Sequence, residues 1–96
     1  MHKTQILLKS IGQLIKNTRS TSMDQKELGT RVGIGRNTVS SIENGKSVNT
    51  GSLFLVLEHL DLIDDLQDAI DLQLNNTTSK LSRKSRKPLE ELDNDF

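Results

Sequence analysis

The stretch from Asp24 to Lys46, DQKELGTRVGIGRNTVSSIENGK, constrains this chain more than any other. Leu28 and Val32 lie four apart, Val39 and Ile42 lie three apart, and Gly33 falls between the two pairs. Spacings of three and four bring side chains to one face of a helix, so the pattern predicts two short amphipathic helices sharing a small core. Asp24 followed by Glu27 predicts a capping box at the start of the first helix. Gly33 supplies the positive φ of a tight turn, and Ile34 is expected to tuck back against the core. Gly45 ends the second helix. That helix should expose Arg36, Asn37, Ser40 and Ser41. None is bulky or acidic, and all four can hydrogen-bond the edges of base pairs.

The flanking segments read as further helices. From Ile6 to Arg19 the apolar positions Leu7, Leu8, Ile11, Leu14 and Ile15 recur at helical spacing. Gly12 either weakens this helix by about 1 kcal/mol relative to alanine or permits a close approach. Ser20, Thr21 and Ser22 form a loop, and Met23 is placed to staple the helix that Asp24 caps. SVNTGS after Lys46 is a second loop, with Thr50 or Ser52 as the expected cap. Leu53, Phe54, Val56, Leu57 and Leu60 then make a helix apolar nearly all round, which predicts burial. In LDLIDDLQDAIDLQL, residues Ile63, Leu66, Ile70 and Leu74 form one stripe, opposite Asp61, Asp64, Asp65, Asp68 and Asp71. Surplus apolar area in so small a chain points to a dimer seam along that stripe. From Asn75 onward, with a basic block (Lys80, Arg83, Lys84, Arg86, Lys87) and an acidic end, the composition predicts a disordered tail. Phe96 ends it.

The formal net charge of zero conceals segregation. Residues 1–47 carry eight Lys/Arg against three Asp/Glu, a net +5. Residues 48–74 carry six Asp/Glu and no Lys/Arg, a net −6, and residues 75–96 carry five against four, a net +1. A polyanion would meet the first half and be repelled by the middle. With no cysteine there is no disulfide framework and no thiolate metal site, and a cytoplasmic setting is expected. No apolar run is long enough for a membrane span, and no signal-peptide pattern opens the chain. Two aromatics, Phe54 and Phe96, are too few for base-stacking on single strands. His2 and His59 lack ligand-spaced companions, so no metal, cofactor or catalytic centre is expected.

Gln25, Leu28, Gly33, Ile34, Val39, Ser40, Glu43, Asn44 and Gly45, in that order, resemble the Cro/repressor (Xre) type of helix-turn-helix DNA-binding domain. The resemblance covers roughly residues 6–74 and implies an all-α, five-helix domain over 1–74 with a tail over 75–96. It implies that Arg36, Asn37, Ser40 and Ser41 face the major groove. It places Gln25, Thr38, Asn44 and Lys46 near backbone phosphate and gives Gln25 a supporting role under the recognition helix; Lys26, with Lys46, adds non-specific, salt-sensitive affinity for phosphate by its charge. Arg19, late in the first helix, is the candidate to pair with Glu43. The chain departs from the family at Asp24, where threonine or serine is usual, at Gly35, where a hydroxyl cap is common, and in a first loop one residue shorter. Further on, GSLFLVLEHLDLIDDL, the acidic-apolar helix and the Arg/Lys-rich tail are similar to HipB-type antitoxins. That likeness implies a homodimeric repressor that binds a palindromic operator in double-stranded DNA and a HipA-type serine/threonine kinase toxin. A stand-alone repressor and a protein-interaction module that no longer touches DNA are the other readings.

Overall fold

The computed structural model describes residues 2–84, with side chains described through residue 78. Five helices follow in order: α1 (His2–Arg19), α2 (Gln25–Val32), α3 (Arg36–Glu43), α4 (Thr50–His59) and α5 (Ile63–Lys84). Among the described residues there is no strand. The chain divides into two compact units, the first ending at Ile63 and the second beginning at Asp64.

The first unit closes around Ile15 of α1, Leu28 of α2, Val39 and Ile42 of α3, and Val56 and Leu57 of α4. The two pairs that flank Gly33 thus supply half of this cluster, with Val32 packed on its edge. Ile34 and Met23 also pack against it, as plug and staple. Helix α1 starts four residues earlier than expected, because nothing between His2 and Gln5 breaks a helix. Its inward side is Leu8, Ile11, Gly12, Ile15 and Arg19, whereas Leu7 and Leu14 face solvent. A turn of about 100° per residue separates these sets, although both obey the three-and-four spacing.

Gly12 is the point of closest approach. A Cβ there would run into the carbonyl oxygen of Ile42 and lie 2.8 Å from that of Glu43. The first helix therefore rides directly on the C-terminal turn of α3. That turn ends at Gly45, with φ 76°, in a pair of bonds from Lys46 N to Ser41 O (2.9 Å) and from Gly45 N to Ile42 O (3.1 Å). This is the paired arrangement that closes helices through a left-handed residue.

Helix α4 departs from expectation at its cap and in its burial. Asn49, rather than Thr50 or Ser52, is the N-cap, its Oδ1 accepting from Ser52 N at 3.1 Å. Asparagine caps as well as serine does, and it stands one residue earlier. Only one side of α4 is covered: Val56 and Leu57 are buried while Phe54 and Leu55 remain exposed. At its end Leu62 N bonds Leu57 O at 2.8 Å and Asp61 N bonds Glu58 O at 3.1 Å, the same closure as in α3. Here Asp61 takes the left-handed position at φ 61°.

In α5, Ile63 packs on the first unit's core, while Leu66, Ile70, Leu72 and Leu74 are exposed. The helix continues past Leu74 to Lys84, so the tail expected from Asn75 opens as helix. No glycine or proline interrupts residues 75–84, which is why the helix propagates. Residues 85–96, including Arg86, Lys87 and Phe96, lie outside the described residues.

Gly12→Ala tests the close approach. Alanine alone would raise helix stability by about 1 kcal/mol. Because a methyl group here meets backbone, we expect a net loss of about 1–3 kcal/mol instead. Chemical denaturation reads the sign directly; an unchanged or raised midpoint would contradict this packing.

Candidate nucleic-acid interface

Helices α2 and α3 meet through the turn at Gly33 (φ 81°), where Gly33 N and Ile34 N both bond Gly29 O at 2.9 Å. The Asp24 side chain accepts from Glu27 N at 2.8 Å, which is half of the expected capping box. The Glu27 carboxylate does not turn back; it pairs with Arg31 one turn along, on the exposed side of α2. Gly35 starts α3 with no side-chain cap bond, so the first turn of α3 carries no capping side chain of its own.

What sets α3 in place lies at its other end. Glu43 is buried, and its Oε2 accepts from Arg19 Nε at 2.6 Å. Its Oε1 accepts from Arg19 Nη2 at 3.1 Å and from Gln25 Nε2 at 3.0 Å. Arg19 Nη1 donates to the carbonyl of Met23 at 2.8 Å, tying in the first loop. The hydrogen bond to Glu43 holds the Arg19 guanidinium above its ordinary pKa, against the opposing effect of burial. The shortened first loop therefore leaves the pairing of Arg19 with Glu43 intact. Among the described residues no buried side-chain nitrogen or oxygen lacks a partner.

With Val39, Ile42 and Glu43 turned inward, α3 presents a contiguous outer arc. At about 100° per residue, Arg36, Ser40, Asn44, Asn37 and Ser41 fall in that order within about 140°. Arg36, Asn37 and Asn44 are exposed; Ser40 and Ser41 are half-buried. Asn44 Nδ2 donates weakly to Ser40 Oγ at 3.4 Å, so these two neighbours act together. Thr38 sits at the edge of the arc. With Asn37, Ser41, Val48, Asn49 and Ser52 it lines a cleft of about 260 Å³. Val48 and Asn49 were not singled out in the sequence, and Ser52 only as a helix cap; the cap potential of Asn49 is the one signal that could have added to them.

On the other flank, Arg19, Asp24, Gln25, Lys26 and Arg36 line a second open cleft, of about 320 Å³. Arg19 is already paired with Glu43, which leaves Lys26 and Arg36 there against the carboxylate of Asp24, beside the first amides of α2. Unbonded amides at a helix start attract anions, and so do the cations. Gln25 gives one amide hydrogen to Glu43, and its NH2 group carries another. Lys46 is exposed just beyond Gly45 and lines neither cleft. Among the described residues, no group of three or more metal-ligating side chains forms, and no helix is long and apolar enough to cross a membrane.

Glu43→Ala strands Arg19 without its counter-charge. We expect a cost of about 3–5 kcal/mol. The exposed pair of Glu27 and Arg31 provides the contrast, since Arg31→Ala should cost about 0.5 kcal/mol or less. Urea denaturation of the two variants side by side checks the difference; similar midpoints would contradict the anchoring role of Glu43.

A family model described as helix-turn-helix matches residues 10–64, more than half of the chain. No curated protein and no solved structure matches the chain significantly.

Proposed function

The chain belongs to the helix-turn-helix family of Cro/repressor (Xre) type and is a DNA-binding transcription regulator, and from that premise we propose that it is a homodimeric repressor of its own operon. The observation that carries this reading is the outer arc of α3, exposed, free of carboxylates and flanked by the cationic cleft at the start of α2. Arg36 can bond guanine bidentately through O6 and N7, and Asn37 can do the same for adenine. Ser40 and Ser41 are short and read bases only where the helix lies deep. Gln25, Lys26 and Thr38 stand at the flanks of the arc, where phosphates run on either side of the groove, and Asn44 and Lys46 follow at its C-terminal end.

One such domain reads few base pairs. A two-fold dimer, with the seam along Ile63, Leu66, Ile70 and Leu74, reads a palindrome whose half-sites lie about 34 Å apart. The exposure of Leu66, Ile70 and Leu74 supports that seam. Residues 1–74 then form the DNA-binding and dimerisation domain. More narrowly, we infer that the protein is the antitoxin of a HipA-type kinase pair. Its similarity to HipB-type chains through α4 and α5 supports this, and the exposed Phe54 and Leu55 of α4 offer a protein partner an apolar contact.

Arg36→Ala should cost about 1–3 kcal/mol at one operator position and relax the preference there. Lys26→Ala should weaken all sequences alike and reduce the salt slope by about 1. Fluorescence anisotropy on a panel of variant operators separates the two behaviours. Uniform weakening by Arg36→Ala would remove it from base reading. For the narrower claim, the chain should co-purify from its native host with a serine/threonine kinase; recovery of the chain on operator DNA without one would leave a stand-alone repressor.

A further inference from the structure

The residues that close α3 also carry a chemistry that neither packing nor base reading uses. Asn44 is followed by Gly45, and no other asparagine in the chain precedes glycine. Asn17, Asn37, Asn49 and Asn76 precede threonine, whose branched side chain crowds its own backbone nitrogen. No aspartate precedes glycine either. Asn44 is exposed and stands in the middle of the outer arc, between Ser40 and Asn37. Its side chain is held by the weak bond to Ser40 Oγ at 3.4 Å. Gly45 is demanded by the fold, because its φ is 76° and a Cβ there would lie 2.8 Å from Lys9 Cγ. The closure of α3 therefore fixes a labile pair in the surface that faces outward.

We propose that Asn44 is a site of spontaneous deamidation, which places a carboxylate in the middle of an arc that otherwise carries none. The Gly45 nitrogen attacks Asn44 Cγ, and the new C–N bond closes a five-membered succinimide. The Gly45 amide proton goes to the departing Nδ2 group, which leaves as ammonia. Water then opens the ring at either carbonyl, giving aspartate or isoaspartate. No other reactant is needed. The folded geometry gates the first step. With the Asn44 ψ at 6°, the Gly45 nitrogen is turned away from the Asn44 side chain, and its N–H is held by Ile42 O at 3.1 Å. Ring closure waits for the last turn of α3 to open, a local event to which helix ends are prone. Either product sets a negative charge at the C-terminal end of α3, where the helix dipole disfavours it. Isoaspartate also lengthens the backbone inside the loop that the bond from Lys46 N to Ser41 O closes. The consequence for DNA rests on the repressor reading above: the chain loses its operator as it ages unbound, whereas DNA lying across α3 holds the turn shut.

The full chain is held at mildly alkaline pH for days, alone, in urea, and with DNA from upstream of its own gene. Trypsin then releases residues 37–46 as one peptide. Fragmentation of that peptide in a mass spectrometer separates Asn44 from Asn37, and aspartate from isoaspartate. Asn44 should gain one mass unit in the folded chain ahead of Asn37 and Asn49, faster in urea and more slowly with DNA. Asn44→Asp should bind the operator about tenfold or more weakly than the fresh chain. Asn44→Gln, whose longer side chain closes such a ring far more slowly, should keep its starting affinity through an incubation in which the wild type loses its own. Asn44 that stays intact in the folded chain while it converts in urea would overturn the proposal. So would a rate that operator DNA leaves unchanged, or Asn44→Asp binding as tightly as the fresh wild type. If the fresh chain binds no DNA, the repressor reading falls, and the mass gain at Asn44 in the chain alone still decides the modification.

Discussion

Glu43 lies where three helices converge, and its carboxylate ties α3 to both α1 and α2. Both oxygens are taken up by Arg19 from α1, and one also by Gln25 from α2. Removing such a charge from water costs several kcal/mol, and only close, directional donors repay it. The pair therefore adds less to stability than its short distances suggest, but it fixes geometry. Helix α3 has eight residues, about two turns, and a helix that short does not persist alone in water. Val39 and Ile42 hold its inner side by burial, and Glu43 sets its rotation. That rotation decides which side chains face outward, so a buried ion pair determines what the exposed arc presents.

The same corner of the molecule uses the absence of side chains. Helix α1 crosses the end of α3 at Gly12, and the Lys9 side chain lies against Gly45. A methyl group at either position would lift the first helix off the third, pulling Arg19 away from Glu43. The close crossing and the ion pair thus support one another. Gln25 links this scaffold to the surface, since it braces Glu43 while standing in the cleft with Lys26 and Arg36. A phosphate bound there would be sensed by the group that orients α3.

Much of this was legible in the sequence because it is local. The two apolar pairs, Gly33 in its left-handed turn, the Asp24 cap and the Gly45 stop all follow from spacing and backbone chemistry within a few residues. The link between Arg19 and Glu43 spans 24 positions. Nothing local encodes it, and it came only through resemblance. Helix α1 shows a different limit: five apolar residues at spacings of three and four leave two arcs open, and only tertiary packing selects Leu8, Ile11 and Ile15 over Leu7 and Leu14. For α4, apolar content predicted burial on all sides, yet so small a domain has partners for one side, leaving Phe54 and Leu55 uncovered. Glu27 left the capping box because Arg31 offers a full charge where the Asp24 backbone offers a single N–H. Composition placed the start of the tail at Asn75, but a helix ends at a breaker, and none occurs before Lys84.

Segregated charge completes the picture. The cations gather in residues 1–47, which contain α2 and α3, and the carboxylates in residues 48–74, so a duplex is attracted by the first segment and repelled by the second. The proposed repressor function requires that the arc from Arg36 to Ser41 enter the major groove, twice per assembly. Hydroxyl-radical footprinting of the full chain on DNA upstream of its own gene tests it most directly. Two protected patches are expected on one face of the duplex, in inverted sequences with centres about 34 Å apart. Protection that follows no sequence, or none at all, would contradict it.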